Sequence, residues 1–469
     1  MTILFSIENG FSSRYLLRTG ILERLRDAGI PIVVASPNAH EEYFREFLLA
    51  RGVNVIPQPA LAPASPRSLR ARLELIRYYG LPTINDGSNI EVKYRSFVER
   101  RPMRPLFLKA FDFGIKTHRR KKWARRVLTT VGQAFDVNAY REILQRHHVA
   151  LVLVDGIGLL GPHMSEWARA AHGLVRSMTV VTNWDHPTTK GYRSTLTSRY
   201  LVWSPTMEQE LVTYHDVPLE RIEQTGAAVF DIYAHNGALF NRAQVCAEFG
   251  LDPMRPIVVY VSNSPVDFPH NLAIANFLAE TLRQLPNAPQ LLVRLHPLFL
   301  RASAASELAQ HRDLAKRSGV AYSIPHVLSQ TLLPDMDADE IRISASLIAA
   351  SDVVVNLFST MQLDACICDK PVVNIGFDWA EGSRGSQRAA CFQFYDHLRS
   401  LVSLNAVQIA STRNELVMLL QDSLASPRTQ AAQRRAVVKQ EAGIVDGNAS
   451  DRIADAILRE YQTVARREA

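Results

Sequence analysis

Short apolar runs of strand length, each ending in small or polar residues and followed by a helix-patterned segment, recur along this chain. That rhythm confines it to open, largely parallel sheets covered by helices. Two of the runs carry the most information: Gln290-Leu-Leu-Val-Arg-Leu-His-Pro297, and Ser351-Asp-Val-Val-Val-Asn-Leu-Phe-Ser-Thr360 running into Met361-Gln-Leu-Asp-Ala-Cys-Ile-Cys-Asp-Lys-Pro371. In an open parallel sheet the ligand crevice lies at the carboxyl ends of the strands. A Ser-Thr pair at a helix start offers hydroxyls and backbone N–H groups to an anion, and a His at a neighbouring strand end reaches the same anion. Together they read as a phosphate site for a nucleotide-activated donor.

With 469 residues the chain exceeds one compact core and predicts two or three domains. In the first half, strands are expected at Ile3–Ile7, Ile32–Ala35, Val53–Ile56, Ala150–Val154, Thr179–Thr182 and Arg199–Val202. Helices are expected at Arg14–Ala28, Glu41–Arg51, Val137–His147, Pro162–Ala171 and Pro205–Tyr214. Residues 60–135 are rich in Pro and Arg, mainly helical, and read as an insertion. A second α/β set opens at Ile257–Val261 and continues through Gln290–Leu295, Val353–Leu357 and Pro371–Ile375. The expected division is 1–240, 241–440 and a C-terminal helix in 441–469 that packs back on the first domain. The fold class is therefore α/β, with two doubly wound, Rossmann-like domains facing an interdomain cleft.

No run approaches the roughly 18 apolar residues that span a bilayer, and the N-terminus lacks the pattern of a signal peptide. Four cysteines, Cys246, Cys366, Cys368 and Cys391, fit a reducing cytoplasm. The net charge of +7 is unevenly spread: seven Lys or Arg fall within residues 116–126. That stretch is either a solvated surface or a patch facing anionic lipid headgroups or a pyrophosphate-linked lipid acceptor. Nothing resembling a nucleic-acid-binding motif accompanies it.

The candidate residues follow strand ends. On the donor side stand Ser262 and Asn263 after Ile257–Val261, Arg294, His296 and Pro297, and Ser359 and Thr360. Arg294 is either surface charge or a second phosphate contact. Asp364, one turn into the following helix, either orients a ribose hydroxyl or favours the helix N-terminus. In the first domain Asp155 ends Leu151-Val-Leu-Val-Asp-Gly156 and is either a turn residue or a general base. The polar run Asn183-Trp-Asp-His-Pro-Thr-Thr-Lys-Gly191 supplies Asp185 and His186 as further catalytic candidates. Asn183 and Lys190, with Asn9 at the first strand end, are assigned to the acceptor side. The Asp-x-Asp at Asp337 and Asp339 precedes a helix and reads as N-terminal charge rather than as a metal site.

This arrangement resembles the GT-B glycosyltransferase superfamily, and within it bacterial envelope enzymes that use CMP- or CDP-activated donors. The matching segments are His296-Pro297, Ser359-Thr360, Asp155-Gly156, Thr225-Gly-Ala-Ala-Val-Phe-Asp231 and Asp446-Gly-Asn-Ala-Ser-Asp-Arg452. The resemblance implies donor binding by the C-terminal domain and acceptor binding by the N-terminal one. It also implies transfer of a sugar to a hydroxyl of a glycan or lipid-linked acceptor, without a metal or other cofactor. The basic run 116–126 is expected to attach a cytoplasmic protein loosely to the inner face of the membrane. A non-hydrolysing UDP-sugar 2-epimerase shares this fold, although its several acidic and His motifs are not evident. A non-catalytic nucleotide- or glycan-binding protein is the other alternative.

Overall fold

The computed structural model describes residues 1–469 except 61–67, 83–87, 101–104, 156–161, 193–195, 267, 330–333, 384–387 and 469. Two units divide the chain. The first comprises Met1–Val229 and Gly443–Ala469, the second Phe230–Ala442.

The first unit is built on β1 (Thr2–Ser6), β2 (Ile32–Ser36), β3 (Asn54–Pro57), β4 (Val149–Asp155), β5 (Arg176–Val180), β6 (Arg199–Val202) and β7 (Ile222–Gln224). They form one sheet in the order β3-β2-β1-β4-β5-β6-β7. Every pairing is parallel, with Leu4 between Val33 and Val152. All seven residues of β4 are buried, as expected of a strand covered on both faces. Trp167 of the helix Pro162–Ala171 packs under this strand with Tyr140 and Leu144. Its indole N–H donates to Gln58 Oε1 at 2.8 Å, so the large ring is buried without an orphaned donor.

The expected helix Arg14–Ala28 is two helices, Gly10–Leu17 and Ile21–Asp27. Gly20, at φ 91°, makes the break, a backbone region that only glycine enters at little cost. The stretch read as an insertion contains the helices Leu69–Tyr79, Asn89–Arg100, Pro105–Arg120 and Lys122–Gln133. The first three share a small core of Tyr79, Tyr94, Phe111 and Ile115. Buried charges tie Leu69–Tyr79 to the helix Pro162–Ala171: Arg169 donates to Glu74 at 2.6 Å and to Glu166 at 2.5 Å, and Arg70 also pairs with Glu166.

The helix Ala449–Glu468 belongs to the first unit and packs on Ile21–Asp27, β4 and β5. Ile453, Ala454 and Ile457 are buried there. Gly443 leads into this return. At φ 75° it would carry a Cβ only 2.1 Å from the Trp203 carbonyl oxygen, so no larger residue fits. Two segments singled out by resemblance meet here. Arg452 donates to the Thr225 carbonyl at 2.7 Å and forks onto both oxygens of Asp446.

The second unit holds β8 (Ile257–Val261), β9 (Gln290–Arg294), β10 (Ala321–Ser323), β11 (Val353–Asn356), β12 (Val372–Ile375) and β13 (Gln408–Ala410). Their order is β10-β9-β8-β11-β12-β13, again all parallel. Each sheet thus has one point where the strand order reverses, between β1 and β4 and between β8 and β11. Ligands of open α/β sheets bind at the carboxyl side of such points.

Candidate nucleotide and acceptor sites

In the second unit the loops after β8 and β9 are stitched together by their own polar groups. Ser262 Oγ accepts the His296 backbone N–H at 2.9 Å, joining the two loops. Asn263 N–H donates to Asn271 Oδ1 at 2.8 Å, and Asn263 Oδ1 accepts the Ser264 N–H at 2.7 Å. His296 caps the short turn Pro297–Leu300, its Nδ1 accepting the Leu298 N–H at 3.2 Å. A neutral ring accepting at Nδ1 carries its proton on Nε2.

The loop after β11 is shaped by buried amides. Asn356, the last residue of that strand, accepts the Ser359 N–H at 2.7 Å and donates to Ser359 Oγ at 3.1 Å. Asn374 of β12 accepts the Phe358 N–H at 3.1 Å and donates to Gln362 at 3.0 Å. These contacts hold Phe358 at φ 58°, a left-handed conformation that a bulky residue rarely adopts. Thr360 precedes the helix Met361–Ile367 but makes no side-chain cap bond. Asp364 accepts the Tyr233 hydroxyl at 2.7 Å. Asn356, Gln362 and Asn374 are fully buried and escaped the sequence reading. The available signal was Asn ending one apolar strand and interrupting another, since Asn is depleted from strands.

Arg294 is not the surface charge that one reading expected. Its guanidinium is buried, ion-paired with Glu340 and donating to Ser323 Oγ at 2.8 Å and Ser344 Oγ at 2.7 Å. Burial pulls its pKa down and Glu340 opposes that. Through Glu340 and Ser344 it anchors β9 to the helix Ala338–Ala350. Asp337 caps that helix by accepting the Glu340 N–H at 2.8 Å, which accounts for the Asp-x-Asp. Among the described residues, no group of three or more His, Cys, Asp or Glu is placed to hold a metal ion.

In the first unit Asp155 ends β4 fully buried. One carboxylate oxygen accepts the Ser12 hydroxyl and the other the Thr182 hydroxyl. Ser12 sits on the helix after β1 and Thr182 just beyond β5, so one carboxylate joins three adjacent strand ends. Asn9 caps the helix after β1 by accepting the Ser12 N–H at 2.9 Å. Gly156 of the sequence motif lies outside the described residues.

The run Asn183–Gly191 folds back on itself. Asn183 Oδ1 accepts the Trp184 N–H at 2.9 Å, and Asp185 accepts the Thr189 hydroxyl at 2.7 Å with Lys190 Nζ 3.7 Å away. His186 is buried, with Phe11 edge-on to its ring. The insertion covers this run. Tyr192 N–H donates to the Arg77 carbonyl at 3.0 Å, and a Cβ on Gly191 would meet Tyr78 Cα at 2.6 Å. Asp185 keeps a side chain 22% exposed, which distinguishes it from Asp155.

Two Rossmann-like, parallel-stranded units in one chain define the GT-B class of fold. Solved structures with this fold include the UDP-GlcNAc 2-epimerase of Neisseria meningitidis bound to UDP-GlcNAc. It is 12% identical with a TM-score of 0.53, over 98% of this chain and 100% of that one. The Methanocaldococcus jannaschii UDP-GlcNAc 2-epimerase in complex with UDP-GlcNAc and UDP is 12% identical, with a TM-score of 0.52 over 98% and 100% of the two chains. The S. aureus MnaA complex with UDP is 10% identical, with a TM-score of 0.53 over 99% and 98%. At such identities the likeness is one of fold. No family model and no curated protein matches the chain.

Proposed function

We propose that this protein is a glycosyltransferase that takes a sugar or sugar-like group from a nucleotide-activated donor to a hydroxyl acceptor. The observation that carries this reading is the convergence of Ser262, Asn263, His296, Ser359 and Thr360 on adjacent strand ends where the second sheet reverses its order. In this reading His296 Nε2–H, the Ser359 and Thr360 hydroxyls and nearby backbone N–H groups stabilise the departing phosphate. Such fixed donors act most strongly on charge that develops during the reaction. The short motifs His296-Pro297 and Ser359-Thr360 favour a CMP- or CDP-linked donor, and an envelope glycan or lipid-linked acceptor goes with that assignment. On the acceptor side Asp185 is our choice of base, since Asp155 has both oxygens engaged by hydroxyls. Asn9, Asn183 and Lys190 would orient the acceptor around it, and His186 is the other candidate base.

Calorimetry with CMP, CDP, UDP and GDP on wild type, His296→Ala and Ser359→Ala/Thr360→Ala tests the donor site. Binding of a pyrimidine nucleotide is expected, weakened in both variants. No nucleotide binding, or wild-type affinity in both variants, overturns the site.

The fold likeness to 2-epimerases favours a second reading, epimerisation of a UDP-sugar. NMR of UDP-GlcNAc incubated with the protein and no acceptor separates the two. A C2 epimer would replace the transfer reading.

A further inference from the structure

We propose that the helix Lys122–Gln133, together with the end of Pro105–Arg120, is a docking surface for a bilayer rich in anionic lipid. This inference does not depend on the function proposed above. Its basis is the division of side chains between two faces. Ala124, Arg125 and Gly132 are buried against the rest of the unit. Trp123, Val127 and Val131, four residues apart and so on one stripe, are 61%, 53% and 40% exposed. Lys121, Lys122 and Arg126 flank that stripe and are exposed. Phe113, Lys116 and Arg120 continue the exposed surface on the preceding helix.

The seven cations of residues 116–126 do not all face outward. Arg125 is held by Asp216 at 2.6 and 3.1 Å, and Arg119 by Glu91 at 3.0 Å. Lys116, Arg120, Lys121, Lys122 and Arg126 remain exposed around the apolar stripe. Lys116 lies 3.6 Å from Asp112 and Lys122 3.5 Å from Asp216, which leaves Arg120, Lys121 and Arg126 as the exposed cations outside these ion pairs. An apolar stripe with a Trp, edged by Lys and Arg, matches the boundary between lipid headgroups and acyl chains. A nucleic-acid backbone would engage the cations but leave Val127 and Val131 without a counterpart. Among the described residues no helix is long and apolar enough to cross a membrane, so this attachment would be peripheral.

The test is co-sedimentation with phosphatidylcholine vesicles, with and without phosphatidylglycerol, at low and high salt. Acrylamide quenching provides a second readout. Trp167, Trp184, Trp203 and Trp379 are all buried, so quenching reports mainly on Trp123. Anionic vesicles should sediment the protein and shield Trp123, and salt should reverse both effects. The variant Arg120→Glu/Lys121→Glu/Arg126→Glu should lose about two orders of magnitude in partitioning, at about fivefold (about 1 kcal/mol) per cation. Equal binding to neutral vesicles, binding to neither, or undiminished binding by the variant overturns the proposal. So does shielding of Trp123 by a short DNA duplex but not by vesicles.

Discussion

The His296 backbone N–H donates to Ser262 Oγ at 2.9 Å, tying the end of β9 to the end of β8. A net contribution of about 1 kcal/mol for such a bond corresponds to roughly fivefold in an equilibrium. Ser262→Ala should therefore weaken nucleotide binding severalfold in calorimetry and lower the thermal midpoint by only a few degrees. His296→Ala should weaken it further, because it removes the ring itself.

Asp155 and Asp185 should separate in a paired experiment. Asp155→Asn replaces an acceptor of two hydroxyls by a group with one acceptor oxygen. We expect a loss of about 1–3 kcal/mol, read as a lower urea midpoint. Asp185→Asn should leave that midpoint in place and lower turnover by about 10²–10⁴-fold if it is the base. Full turnover in Asp185→Asn would move the base elsewhere.

Arg294 and Glu340 form a buried pair, and losing one member strands the other. Arg294→Ala should cost about 3–5 kcal/mol in urea unfolding. Replacing both members by methionine should recover most of that loss, because no unpaired charge remains. A mild effect of the single change would mean that water reaches Glu340.

Acid sensitivity should show the imprint of His118. Burial lowers its pKa to about 4, while Nδ1 lies 2.8 Å from the Gly80 carbonyl oxygen. His163 is likewise lowered to about 4 by burial. A histidine depressed in the folded state binds its proton more readily once unfolded, near pH 6.5. Stability should therefore fall as pH drops from about 6.5 to about 4 and gain nothing from these groups above that window. His118→Gln should flatten this part of a plot of Tm against pH. An unchanged slope would assign the effect to other groups.

Much of this architecture can be read from residue order, because fully buried parallel strands are continuous apolar runs. Val149–Asp155, Ile257–Val261 and Val353–Asn356 announce themselves in this way. The edge strands Ile222–Gln224, Ala321–Ser323 and Gln408–Ala410 do not. They are three residues long, carry polar side chains and owe their pairing to a neighbour already in place. The same holds at the sites. His296 and Ser359 are visible as motifs at strand ends. The hydroxyls that meet Asp155 come from positions 143 residues upstream and 27 downstream, a relation no local pattern encodes. The inward turn of Arg294 needed its partner Glu340, 46 residues on.

The return of Ala449–Glu468 to the first unit bears on how a ribosome delivers this protein. The second unit is one continuous stretch, and all of it leaves the exit tunnel before that helix does. Domains generally fold as units during synthesis. Here the later-made unit has its full complement of residues first. The earlier-made one must meanwhile keep the surfaces of Ile21–Asp27, β4 and β5 uncovered, exposed to chaperones or to neighbouring nascent chains, until Ala449–Glu468 emerges.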